Sequence, residues 1–254
     1  MTEEILKQIA KNTKPKQSFQ IILSSKLTNF NTKFNPPIHL NKDSSYEIAL
    51  VNLETYYSFP NIDKNNNTLY FRKLVKNSGI PERFSVRIPI GSYEIDDLNK
   101  VFADKLKREG HGKVVTFTPN LNTLKCIMKI EDGYQINFRK NELGALLGFS
   151  RDIYSKGYYK SKLPININNI SSIFINIDIA SGSYVNGVTR PIIYSFFPEV
   201  SPGYKIVENP RNLVYLPIAG NMIDHINTKI TDQDFNELNS RGENITLRFH
   251  IREV

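Results

Sequence analysis

The chain has 254 residues, a formal net charge of +8 and a single cysteine, Cys126. At this length it buries roughly 70 to 75% of its unfolded surface, so it can form a core without a metal or a disulfide. One cysteine excludes a disulfide within the chain and favours a reducing, intracellular assembly site. No apolar run approaches the ~20 residues of a membrane span, and Met1–Glu4 lacks the features of a secretory signal, so we expect neither.

Residues 1–17 are predicted to form a flexible basic N-terminal arm. Thr2 is suited to cap a short helix, which Lys14-Pro15-Lys16 ends early. Two interpretations stay open: a frayed tail, or an arm that becomes ordered on a partner, with a weak nucleic-acid contact through Lys7–Lys16. The other compact basic cluster is Lys105-Lys107-Arg108, and the remaining positive charge is scattered and predicts a solvated face.

The first part of the chain after the arm predicts three strands. They lie at Ser18–Ser24, Tyr46–Tyr56 and Thr68–Val75, separated by connections rich in Asn, Pro and Asp, such as Asn35–Pro37. From Arg83 the pattern changes. Apolar residues alternate up to Ile90, and Ser92 then begins a predicted helix with one apolar stripe, formed by Ile95, Leu98, Val101, Phe102 and Leu106.

The region that begins at Arg83 predicts an inserted α+β unit over residues 83–150. Further strands are expected within Val114–Phe138, followed by a short apolar helix over Asn141–Phe149. The tyrosine-rich stretch Tyr154–Lys162 is predicted to be the linker that leaves this unit.

The last third of the chain predicts five strands with no helix between them. The two closing segments alternate apolar and polar residues, which is the period of a half-buried antiparallel strand. Together with the three earlier strands they make about eight, the number in a jelly roll. We therefore predict a mainly β fold, a single jelly roll of two antiparallel sheets over residues 18–82 and 151–254, interrupted by the insert. The five strands are Ser172–Ala180, Pro191–Phe197, Tyr204–Leu216, Ile223–Asp232 and Asn244–Glu253.

Residue types that carry chemistry do not form a recognised catalytic or metal-binding pattern. The histidines are not paired, the acidic turn lacks the ligand order and central glycine of an EF-hand, and the Gly-Ser-Tyr triplets are not nucleophile elbows. We expect no enzymatic activity, no cofactor and no metal, and a buried inert thiol at Cys126. The residues considered were His39, His111, His225, His250, Asp232, Asp234, Glu237, Gly91–Tyr93 and Gly182–Tyr184.

Two aromatic clusters lie where a strand gives way to a loop that contains proline. They are Tyr56–Pro60 and Tyr194–Pro198. Aromatic residues with a polar tip at loop ends are typical of protein–protein contacts, but they also close the ends of cores. Both interpretations stay open.

Five segments, in order along residues 45–254, resemble a known family. The succession resembles the minor capsid, or penton, proteins of Polinton (Maverick) virus-like transposons. One position departs from that pattern: Phe235 stands where the closing turn of the family often has glycine, which puts the turn type in doubt. The segments are Ile88–Asn99, Leu143–Phe149, Ile179–Gly187, Phe197–Ile206 and Thr231–Arg248.

The resemblance implies a single jelly roll that assembles as a homopentamer at the vertices of an icosahedral capsid, beside a major capsid protein with a double jelly roll. It implies a structural protein of the virion, assembled inside the host cell, without enzymatic activity. The alternative is a jelly-roll module that binds a carbohydrate or a receptor, for which the tyrosines and the insert are the motivation. A hydrolase or metal-dependent oxygenase on a similar scaffold needs a His and carboxylate set that the sequence does not display.

Overall fold

The computed structural model describes residues 16–75, 80–167 and 170–254. The chain divides into two compact units. One consists of Met1–Ser58 and Ile170–Val254 and is called the jelly-roll unit, while the other, Phe59–Asn169, is called the inserted unit. Residues 1–15 of the predicted arm lie outside the described residues.

The elements are numbered in chain order through both units. They are β1 Ser18–Ser25, β2 Asn29–His39, β3 Tyr46–Tyr56, β4 Thr68–Lys73, β5 Glu82–Arg87, α1 Ile95–Arg108, β6 Val115–Asn120, β7 Lys125–Ile130, β8 Tyr134–Asn137, α2 Leu143–Leu146, β9 Ile153–Tyr154, β10 Gly157–Pro164, β11 Ile173–Ile177, β12 Ser183–Val185, β13 Val188–Arg190, β14 Ile192–Phe196, β15 Lys205–Glu208, β16 Leu216–Pro217, β17 Met222–Thr231 and β18 Ile245–Glu253.

Eight strands of the jelly-roll unit form two antiparallel sheets. The first has the order β1-β18-β3-β15, with the short β16 also paired to β3, and the second has the order β14-β11-β17-β2. Numbered one to eight along the chain, the main strands read 1-8-3-6 and 5-4-7-2. This arrangement, in which the chain crosses repeatedly from one sheet to the other, is a jelly roll. The predicted mainly β fold is therefore confirmed, with β12 and β13 as an additional hairpin.

The alternation of apolar and polar residues sets which face of each sheet is buried. In β18 the residues Ile245, Leu247, Phe249 and Ile251 are fully buried, while the residues between them are partly exposed. Phe249 lies opposite Ile21 of β1 and Leu50 of β3, so three strands contribute to one apolar layer. Burial of one such side chain stabilises the fold by about 1.5–3 kcal/mol.

The inserted unit is an α+β unit with its own core. Its strands form two antiparallel sheets, β5-β4-β8-β9 and β10-β7-β6. Helix α1 buries the predicted stripe through Ile95, Leu98, Phe102 and Leu106, and its last turn is basic, which suits the negative end of the helix dipole. In the described residues no helix has the length and hydropathy that a membrane span requires.

Three strand assignments from the sequence need correction. The sequence predicts the stretch from Thr68 as the third jelly-roll strand, but β4 pairs with β5 and β8 inside the inserted unit. The three jelly-roll strands before the insert are β1, β2 and β3. The sequence does not predict β2, because this strand contains many polar residues and Pro36-Pro37. It can hold prolines because it is an edge strand. The segment Tyr154–Lys162 is no linker, because most of it lies in β9 and β10. The predicted insert bounds of 83 and 150 are therefore too narrow.

Two local predictions also differ from the structure. Helix α1 begins at Ile95 after Glu94, without a side-chain cap, because the Ser92 hydroxyl donates a hydrogen bond to the Phe59 carbonyl instead (2.8 Å). At the arm, Gln17 belongs with the jelly-roll unit. Its backbone N–H donates to the Glu253 carboxylate (2.8 Å), and its side-chain oxygen accepts from the Tyr46 hydroxyl (2.7 Å).

Candidate interaction surface

Four connections of the jelly-roll unit meet at one end, which we call the loop end. They are residues 26–28, the exit from β3 at Tyr57–Ser58, residues 197–204 and residues 232–244. Hydrogen bonds link them in series. The Tyr57 N–H donates to the Tyr204 carbonyl (2.9 Å), the Ser58 hydroxyl to the Ser240 carbonyl (2.6 Å), and the Ser240 hydroxyl to the Lys26 carbonyl (2.8 Å). Such a network orders connections that would otherwise be independent loops.

The loop end brings parts of both predicted aromatic clusters together. Lys205 of β15 lies opposite Tyr56, and residues 197–204 lead into β15 from Phe196. Each cluster contains both residues that close the core and residues that are available for a protein contact. Phe59 and Phe196 are buried, whereas Tyr56 and Phe197 are about half exposed. Tyr194 lies in β14, and its hydroxyl donates to the Glu208 carboxylate (2.8 Å).

The loop end carries large apolar side chains that are exposed. Leu27, Phe197 and Tyr204 are exposed by 64%, 51% and 68%. Large apolar residues on loops tied together by hydrogen bonds hold a fixed surface, which is what a protein partner requires. The loop end is therefore a candidate contact surface for another protein chain.

The closing turn after β17 forms part of the loop end. The Asp232 carboxylate accepts the backbone N–H groups of Asp234 and Asn236 (both 2.9 Å), which satisfies it within a turn. Phe235 has a φ of +64°, the left-handed conformation that favours glycine. The turn thus keeps a glycine-like backbone although the residue differs. The Phe235 ring contacts the Arg190 guanidinium (4.3 Å to the centroid) and the Phe174 ring (5.5 Å between centroids).

The four histidines have different surroundings. His39, at the end of β2, is exposed and lies opposite Met222 of β17. The hydroxyls of Ser18 and Tyr215 lie 2.6 and 2.7 Å from the two ring nitrogens of His250. His225 contacts Asp224, and its hydrogen bond holds the pKa of that carboxyl below its usual range. His111 packs against the rings of Phe71 and Phe84. Within the described ranges no group of three or more His, Cys, Asp or Glu residues is arranged to hold a metal.

The remaining candidates have structural surroundings. Cys126 is fully buried in the inserted unit, and this burial raises the pKa of its thiol to about 12. A thiol with such a pKa is not a nucleophile at neutral pH. The Ser183 hydroxyl donates to the Ile192 carbonyl (2.6 Å), and Ser92 bonds Phe59 as described above, so both Gly-Ser-Tyr serines have backbone acceptors.

The outer face of the second sheet carries a cleft of about 330 Å³ that both polar and apolar side chains line. Side-chain amides and a carboxylate line it and bond one another. The Asn227 amide donates to Asp178 (2.5 Å) and its oxygen accepts from Asn31 (2.5 Å). Phe235 and Arg190 close one side of the cleft. Amides, a carboxylate and an aromatic ring are groups that can bond the hydroxyls and cover the apolar face of a sugar.

The fold and its surfaces define a single jelly-roll protein with an α+β insertion and a loop end suited to protein contact. No family model matches the chain, and no curated protein matches it. Among solved structures, the crystal structure of the mavirus penton protein is similar at 12% sequence identity, covering 94% of this chain and 100% of that one with a TM-score of 0.47.

Proposed function

We propose that this protein is a structural capsid protein, a penton that forms homopentamers at the vertices of an icosahedral virus-like capsid of the Polinton (Maverick) type. The observation that carries the proposal is the eight-stranded jelly roll whose loop end gathers exposed apolar residues. The ordered set of motifs that resembles the Polinton minor capsid family supports the same assignment.

The sheets offer the two unlike surfaces that a ring requires. In a closed ring of five, each contact is heterologous, so one subunit must present two different patches. The first sheet ends in β1 on one edge and β15 on the other, and the second in β14 and β2. Edge strands present unpaired backbone groups that a neighbour can cover. In this proposal the edges contact the neighbouring subunits and the loop end lies around the fivefold axis.

The partners follow from this role. The pentamer would be surrounded by a double jelly-roll major capsid protein, and the basic arm of residues 1–17 would contact shell proteins or the packaged nucleic acid. Assembly would take place inside the host cell. The role is structural and needs neither catalysis nor a cofactor.

Oligomer mass measured by light scattering tests the proposal. We expect the full chain to form pentamers, alone at high concentration or when the major capsid protein is present. Phe197→Asp and Tyr204→Asp should shift the mass to that of a monomer, because each puts a charge in an apolar contact. The matched control is Leu121→Asp, whose side chain is 81% exposed in the inserted unit. It should leave the pentamer intact.

The outcomes separate the parts of the proposal. A wild-type protein that stays monomeric under both conditions contradicts the penton assignment. Pentamers that survive both loop-end substitutions contradict the role given to the loop end. Equal loss of pentamers in the Leu121→Asp control would show a general effect of added charge instead.

A second candidate function is a module that binds a carbohydrate. The observation that favours it is the amide-lined cleft that contains Asp178 and Asn227. Glycan-array binding by the wild-type protein that is lost in Asp178→Ala would support this candidate. No glycan binding above background would rule against it.

A further inference from the structure

The inserted unit has a sheet face with unusual charge. In the sheet β5-β4-β8-β9, Leu69, Phe71 and Val86 are buried and point to the core. Because side chains alternate along a strand, the residues between them lie on the opposite face. That outer face carries Arg72 of β4 and both Arg83 and Arg87 of β5.

The arginines of this face lie close to one another. Arg72 is directly opposite Arg83 in the register of β4 and β5. Residues opposite each other in an antiparallel pair have Cβ atoms about 5 Å apart, and like charges at this distance repel. Arg83 and Arg87 are separated by about 13 Å along β5, from the rise of ~3.3 Å per residue. A row of arginines that repel one another does not stabilise the sheet. Binding of an anionic ligand explains their position on an exposed face better.

Lysines from neighbouring loops extend the positive charge. Arg87 lines a polar cleft of about 560 Å³ together with Lys64, Lys140 and Arg151. Glu142, the one acidic residue among the cleft's described lining residues, is ion-paired with Arg151. We call Lys64, Arg72, Arg83, Arg87 and Lys140 the basic face. In the described parts of the chain, no ion pair involves any residue of the basic face.

We propose that the basic face of the inserted unit binds nucleic acid through its phosphate backbone, without sequence preference. Arginine is suited to phosphate because its planar guanidinium forms two parallel hydrogen bonds. The aromatic ring of the cleft, Tyr70, lies under the Lys140 ammonium (4.9 Å to the centroid), so one ring face is already covered. Contacts to phosphate rather than base stacking then supply the affinity. This inference does not depend on assembly of the jelly-roll unit into pentamers.

Fluorescence anisotropy with a labelled oligothymidylate and the full chain tests this site. If about four cations contact phosphates, the logarithm of the affinity should fall with the logarithm of salt concentration with a slope of about −3. Arg83→Gln with Arg87→Gln removes two contacts, so the slope should shrink to roughly half and the affinity at 0.1 M salt should fall by roughly tenfold or more.

The matched control is Lys107→Gln with Lys113→Gln, which removes the same charge from exposed positions elsewhere in the inserted unit. It should change the salt slope and the affinity for the oligonucleotide much less. Thermal melting of each variant verifies that the fold is retained, as expected for exposed residues.

Three results overturn the proposal. One is absence of binding by the wild-type protein at low salt. Another is an equal loss of affinity in the two double variants, which would indicate that binding depends on the overall charge or on the basic arm. The third is displacement of the oligonucleotide by a sulfated oligosaccharide of similar charge at far lower concentration, which would assign the face to a glycan.

Discussion

Phe249 provides the sharpest test of the core that the two sheets enclose. Its ring is fully buried in the middle of β18, with Ile21 and Leu50 opposite in the neighbouring strands. Phe249→Ala removes the ring and leaves a cavity, because the neighbouring residues on two strands prevent the site from collapsing. The expected loss is about 3–5 kcal/mol in the free energy of unfolding. Urea unfolding followed by circular dichroism measures this loss from the shift of the transition midpoint.

The matched control lies in the adjacent strand. Ile22 follows Ile21 in β1 but faces the other way, with 58% of its side chain exposed. Ile22→Ala should therefore cost no more than about 0.5 kcal/mol. If Phe249→Ala costs less than about 1 kcal/mol, or if both substitutions cost the same, the assignment of the buried face is wrong.

Three further predictions concern single positions. Phe235→Ala should be less stable than Phe235→Gly by about 1 kcal/mol in urea unfolding, because both lose the ring contacts but only glycine relieves the positive φ; the reverse order would contradict a strained turn. Cys126 should resist alkylation at pH 8 in the native protein and react after unfolding, as mass spectrometry can show, since its thiol has a pKa of about 12; rapid native labelling would contradict its burial. Burial, together with the hydrogen bond to Glu208, raises the pKa of Tyr194 to about 12. The native state thus favours the protonated phenol, and this stabilisation is complete below pH ~10 and lost as the pH rises through about 12; urea midpoints of the wild type and Tyr194→Phe should therefore converge at high pH, and a constant difference would refute the shift.

The strands of the last third were readable from the sequence because one face of each sheet is buried. In β18 the apolar residues recur at every second position, and in β17 the buried residues Ile226, Thr228 and Ile230 do so after an irregularity near Ile223, so period and burial agree. Helix α1 was readable for the same reason, since its stripe has the period of a helix and packs on the core. The local pattern is sufficient to predict a helix or a strand where one side of the element is apolar and the other is polar.

The partners of each strand were not readable in the same way. The pattern of β4 is that of an ordinary strand, and nothing within it indicates whether it pairs with β3 or with β5 and β8. Pairing depends on contacts between residues far apart in sequence, which periodicity does not encode. β2 was missed because its exposed edge position permits Asn, Lys and Pro where a central strand would need apolar residues.

The candidate surfaces were partly visible in the sequence. Both aromatic clusters are visible in the sequence, but their meeting at the loop end follows from the crossing of the chain between sheets. The arginines of β5 alternate with Phe84 and Val86, so the signal of a basic outer face was present. It acquired meaning only once Arg72 and Arg83 were placed opposite each other.

Cryo-electron microscopy of the purified full chain, alone and mixed with the major capsid protein, tests the central proposal most directly. Class averages viewed along the symmetry axis should show rings of five copies, with the loop ends of the jelly rolls nearest the axis. Particles that contain one copy in both samples, or rings of another symmetry, would contradict a penton.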